Sequence, residues 1–154
     1  MNLLTIEKDI ITRLENQLTT DTQVRSFPQD PARFFRALRQ NGAILVRYEA
    51  SDYGPLITNK NETRVQRRTA RWIFEIVYRN PVGHNATSGT AGVYKLMQEV
   101  RQALTGYTPG TASSVPITDS TVMYPVRDNF EDHVNDLWFY SMTFEHTLEE
   151  TPNR

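Results

Sequence analysis

The sequence predicts an α+β domain, a mainly antiparallel or mixed sheet of about four to five strands with two to three helices packed on one face. Three observations carry this. From Ala70 to Arg79 the chain alternates, with Ala70, Trp72, Phe74, Ile76 and Tyr78 on one side and Arg71, Ile73, Glu75, Val77 and Arg79 on the other. Leu137 to His146 alternates too, placing Trp138, Tyr140, Met142 and Phe144 together. Elsewhere apolar residues recur every three to four positions. A period of two sends successive side chains to opposite faces of a strand, and helical spacing gathers them on one stripe.

Taken in order, Leu3, Ile6, Ile10, Leu14 and Leu18 form such a stripe, an amphipathic helix that Asp21 and Thr22 end. Gln23 to Phe27 reads as a short strand before Pro28. Asp30-Pro31 starts a second helix, with Asp as N-cap and Pro in the first turn. Phe34, Phe35 and Leu38 make its buried side, Arg33, Arg36 and Arg39 its opposite side, and Asn41-Gly42 its C-terminal cap. Ala43 to Tyr48 is a short apolar strand.

Glu49 to Thr63, rich in Ser, Asp, Gly, Pro and Asn, reads as an excursion between strands, an extended arm. The long strand from Arg64 to Arg79 stops at Asn80-Pro81, and Pro81 to Gly92 is a glycine-rich loop. Val93, Leu96, Met97, Val100 and Leu104 make a third helix that Gly106 stops. Tyr107 to Pro116 is rich in turn residues, Ile117 to Val126 has partial alternation, and Asp128 to Asp136 reads as an acidic connection to the last strand. The expectation is a single domain over 1–147 with a polar tail, 148–154, that frays.

The chain of 154 residues is long enough for a real core. It has no apolar run long enough for a membrane span, and its start lacks the pattern of a signal peptide. Without cysteine it has neither disulfides nor thiolate chemistry. A net charge of −1 hides an asymmetry. Arg25 to Arg79 holds 11 basic and 5 acidic residues, whereas Asp119 to Arg154 holds 2 basic and 8 acidic ones. Opposite halves of this kind can pair within one chain or with the next copy, which hints at head-to-tail assembly.

No motif supports an enzyme. His84, His133 and His146 lack metal-ligand spacing, so neither metal nor cofactor is expected. There is no phosphate-binding glycine loop and no Gly-x-Ser-x-Gly elbow. Arginine outnumbers lysine 14 to 3. Its planar fork suits carboxylate and phosphate alike. Arg33, Arg36 and Arg39, with Arg64, Arg67 and Arg68, are candidates for either, and the slightly acidic chain favours protein partners over nucleic acid.

Gly42-Ala-Ile-Leu-Val-Arg-Tyr48 with the following Ser51-Asp52-Tyr53-Gly54 resembles the strand that opens the sheet of the Mu-type phage tail-terminator-like (tail completion or neck) proteins. Val65-Gln-Arg-Arg68 running into Trp72 to Asn80 is similar to their long central strand. Gly92 to Leu96 and Val100 to Tyr107 resemble the helix that follows it, and Trp138-Phe-Tyr140 their last strand. The resemblance implies a structural protein of the virion tail, assembled in the host bacterial cytoplasm. It implies a ring, usually a hexamer, that caps the tail tube, ends its polymerisation and joins it to the head or neck. Its partners would be itself, tube and sheath proteins, and neck or connector proteins, with DNA only as passing cargo and no membrane. On this reading Arg33, Arg36, Arg39, Arg64, Arg67, Arg68, Glu131, Asp132 and Asp136 form subunit interfaces, and Asp52, Tyr53, Asn59, His84 and Asn85 lie on mobile partner-binding loops. Arg64 to Arg68 would be an assembly surface at the root of the arm.

Overall fold

The computed structural model describes residues 3–58, 61–62, 64–79, 91–110 and 122–150. Its elements run α1 (Leu3–Gln17), β1 (Thr22–Ser26), α2 (Pro31–Ala37), β2 (Gly42–Thr58), β3 (Arg64–Arg79), α3 (Ala91–Leu104), β4 (Tyr124–Val134) and β5 (Leu137–Glu150). The strands form one sheet in the order β1-β2-β3-β5-β4. β1 lies parallel to β2, and every other pair is antiparallel. The α+β architecture expected from the sequence is therefore the one observed.

The two alternating segments become neighbours. Trp72 stands opposite Phe144, Phe74 opposite Met142, Ile76 opposite Tyr140 and Tyr78 opposite Trp138. Trp72, Phe74 and Phe144 are fully buried, with Phe74 and Phe144 edge-to-face at 5.5 Å. Ile6, Ile10 and Leu14 of α1 and Val93, Leu96, Val100 and Leu104 of α3 cover this face. At roughly 150–250 Å² removed from water apiece, each buried aromatic contributes about 4–6 kcal/mol of gross hydrophobic stabilisation.

Two of the three helices take the aromatic face, and α2 takes the other. A parallel pair of strands needs a crossover, and α2 lies in the one between β1 and β2. Its Phe34, Phe35 and Leu38 pack with Ala43, Val77, Leu137 and Phe139 on the face opposite the main core. The Asp30 side chain accepts from the Arg33 backbone N–H at 3.1 Å, so the expected cap is present. Gly42 is not a helix cap: α2 ends at Ala37, and Gly42 is the first residue of β2. Gly106, at φ +81°, does end α3, in the left-handed region that a side chain would disfavour.

Three expectations need correction. Glu49 to Thr58 is not an excursion but the continuation of β2, paired with β3 as far as Thr58 opposite Arg64. Gly54 and Pro55 are absorbed at a register shift between Tyr53 and Leu56. β1 reaches only to Val46, so this part of β2 is an edge, where a proline costs no ladder bond. Asp128 to Val134 is likewise strand rather than connection, and the turn to β5 is confined to Asn135 and Asp136. The tail expected to fray from 148 is strand to Glu150, and Leu148 is buried opposite Arg68. The start of the strand expected over Ile117–Val126, and the glycine-rich loop except Ala91 and Gly92, lie outside the described residues.

Candidate functional site

β3 carries positive charge along a sheet whose next strand is acidic. Arg67 Nε lies 3.3 Å from Glu149 Oε1. Arg71 donates to Glu145 Oε1 at 2.9 Å from Nε and 2.7 Å from Nη2, with Glu49 and Asp52 at 3.9 and 3.8 Å. The Glu145 carboxylate, by hydrogen bond and charge, raises the Arg71 pKa further. Arg79 meets Asp136 at 3.5 Å. Across the same open face Arg47 pairs with Glu75 at 3.3 Å, and burial pushes the Glu75 pKa up against that arginine's pull. Much of the charge asymmetry is thus answered within the chain, between β3 and the last hairpin.

Arg68, expected on an outward-facing surface, turns inward instead. It is 9% exposed, its Nε donates to Ser51 Oγ at 2.7 Å, and Nη2 donates to the Tyr48 hydroxyl at 3.3 Å. Its guanidinium also lies over the rings of Tyr48 and Tyr53. Beside it His146 is fully buried, and its Nε2 accepts from Trp72 Nε1 at 3.0 Å. Burial, with the Arg68 charge adding, lowers the His146 pKa to about 4. These groups tie β2, β3 and β5 together where the β2–β3 hairpin leaves the body of the domain.

Asp52 and Tyr53 are exposed, but on a paired strand rather than on a loop. Arg64 is exposed opposite Thr58 near the hairpin end. Asn59, His84 and Asn85 lie outside the described residues.

Two groups of charge remain unanswered, one in the stretch from β1 through α2 and one along the edge strand β4. Next to β1, residues 25–39 hold four arginines against one aspartate. Arg25, Arg33, Arg36 and Arg39 are all exposed, and Arg25 lies over the Phe34 ring. Arg33, Arg36 and Arg39 have no ion pair among the described residues. β4 holds three carboxylates, Asp128, Glu131 and Asp132, against Arg127. All three are exposed. Glu131 accepts from Ser141 Oγ at 2.6 Å, and Asp132 from the His133 backbone N–H at 2.8 Å.

Sequence reasoning placed the aromatics in the core and missed a second feature of β4. Phe130 is 56% exposed. Its ring sits 5.4 Å from Tyr140 and 6.3 Å from Trp138. His133 stacks on Trp138 at 3.8 Å, and Tyr94 of α3, 54% exposed, meets Tyr140 edge-on at 5.9 Å. The result is a ladder of rings at the edge of the sheet. The hairpin is also apolar at its surface, where Tyr53, Leu56 and Ile57 are about half exposed. The sequence signal for Phe130 was its place in a segment otherwise made of charged and polar residues.

Among the described residues no cluster of three metal-ligating side chains occurs, and no helix is long and apolar enough to cross a membrane. The fold and these surfaces describe an α+β domain with charged, unsatisfied edges. The chain belongs to the Gp37 protein family, whose model matches residues 10–150, and so to a family of phage proteins. No curated protein matches it.

Proposed function

We propose that this phage protein is a structural, non-catalytic tail terminator, which forms a ring on the end of the tail tube, stops its growth and joins it to the head or neck. One observation carries the reading. The stretch from Arg25 of β1 through Arg39 is basic and the edge strand β4 is acidic, and Arg33, Arg36 and Arg39 have no ion pair among the described residues. A surface that matches a different surface of the next copy makes a heterologous contact, and heterologous contacts close into rings when the rotation permits. β4 supports side-chain contact rather than strand addition. It has two register shifts, a proline and several charges, the features that protect an edge from pairing with another strand.

The test is deletion of the gene in the parent phage, with tails measured by electron microscopy. Tails of uncontrolled length are expected. Tails of normal, fixed length would sink the proposal, and normal-length tails that fail to join heads would mark a joining protein instead.

A further inference from the structure

The aromatic ladder on β4 is not used by the charge argument above, and it has a definite chemistry. The register places Asp128 opposite Met142, Phe130 opposite Tyr140 and His133 opposite Trp138, so all three project on the side of the sheet that α1 and α3 cover. A carboxylate therefore stands two residues from an exposed ring on the same face. Asp128 has no ion pair among the described residues. An apolar ring cluster rimmed by a free carboxylate suits a guanidinium, which can lie over the ring while its N–H groups reach the acid.

The chain already uses this contact elsewhere. Arg13 lies over Tyr107 at 4.8 Å, Arg25 over Phe34 at 5.2 Å and Arg47 over Phe27 at 5.8 Å. Arg33 and Arg36 of α2 and Arg39 just after it have neither such a ring nor an ion pair among the described residues; Arg64 and Arg101 share that state, but these three recur every third residue.

We propose that the Asp128–Phe130–Tyr94 corner is a socket for the arginines in and just after α2 of a second copy, with Arg36 as the central contact of Arg33, Arg36 and Arg39. Complementary charge between this basic stretch and acidic β4 selects this occupant, and the register that keeps Asp128 and Phe130 on one face supplies the socket. The proposal rests on the ring reading and names its contact.

The experiment replaces Phe130 with a photoreactive benzophenone amino acid in the full-length protein and irradiates it, both alone at high concentration and in cells producing the parent phage. Cross-linked peptides are identified by mass spectrometry in mixed isotopically labelled and unlabelled protein, which separates links between copies from links within one. The expected link joins position 130 to residues 31–39 of another copy. Arg36→Glu is expected to lower its yield roughly three- to tenfold, the size of one cation–π contact with its ion pair, and Asp128→Lys to restore it. Circular dichroism confirms that each variant is folded. A link only within the same copy, a link only to another protein, or no link in either setting overturns the socket. In those cases tail length in the deletion still decides the terminator reading separately, and fixed-length tails with a 130-to-α2 link would retain the contact while removing the terminator role.

Discussion

Acidification is expected to destabilise this protein in large part through His146. Its Nε2 accepts the Trp72 indole N–H at 3.0 Å, so the imidazole is neutral and carries its proton on Nδ1. Protonation would put a second donor against the indole, inside the core and beside the Arg68 cation. The folded pKa is accordingly about 4, below the ordinary value of 6.5. Between those values the unfolded chain binds the proton and the folded one does not, so stability falls as pH drops below about 6.5 and levels off below about 4. From about pH 7 to about pH 5 the linked loss is about 2 kcal/mol, within a limit of roughly 3 kcal/mol for the full shift. Urea unfolding of the wild type and of His146→Gln at the two pH values isolates the effect, because carboxylates common to both proteins cancel. The wild type is expected to lose about 2 kcal/mol more than the variant over that interval. Parallel stability profiles, or a His146 resonance titrating near its ordinary value in the folded protein, would refute the reasoning.

Two other substitutions test the packing. Asp9 Oδ2 accepts from the Tyr107 hydroxyl at 2.7 Å and from the Gly110 N–H, and burial together with that carboxylate raises the Tyr107 pKa to about 12. Asp9→Ala removes the acceptor that both donors use and is expected to cost about 1–3 kcal/mol in denaturant unfolding, with the tyrosine titrating lower. At Gly92, a Cβ would run into the Tyr78 ring at Cε1. Helix propensity alone favours Gly92→Ala by about 1 kcal/mol, whereas the clash predicts a net loss of about 1–3 kcal/mol. Tyr78→Leu in the same chain should recover most of it, and a stabilised single variant would show that the ring moves aside freely.

The periodic elements were legible because their signal is local. The alternation in β3 and β5 identified both strands and their common aromatic face, and the apolar stripes identified α1 and α3 within a residue or two. The Asp30-Pro31 start of α2 was legible for the same reason, since a cap is made by residues three apart. Glu49–Thr58 and Asp128–Val134 were misread because their composition is that of loops. Edge strands tolerate such composition: one side of the backbone meets water, and bulges take up the proline and glycine.

The charged surfaces were legible in sign but not in membership. Fourteen arginines and an acidic C-terminal third announced complementary charge. Sequence could not say that Arg67, Arg71 and Arg79 are answered within the chain, since those pairs depend on the register of β3 against β5 and the turn before it.

The amino-acid sequence by itself determined the fold class, the helices, the central strands and the residues of the aromatic core. Hydrophobic period is a property of neighbouring residues and survives without knowledge of the partner. Only the tertiary structure decided which charges are spent and which are left, that Arg68 turns inward beside His146, and that Phe130 stands at the surface. Burial and pairing are set by what lies on the next strand, and for β4 no strand among the described residues lies on its far side.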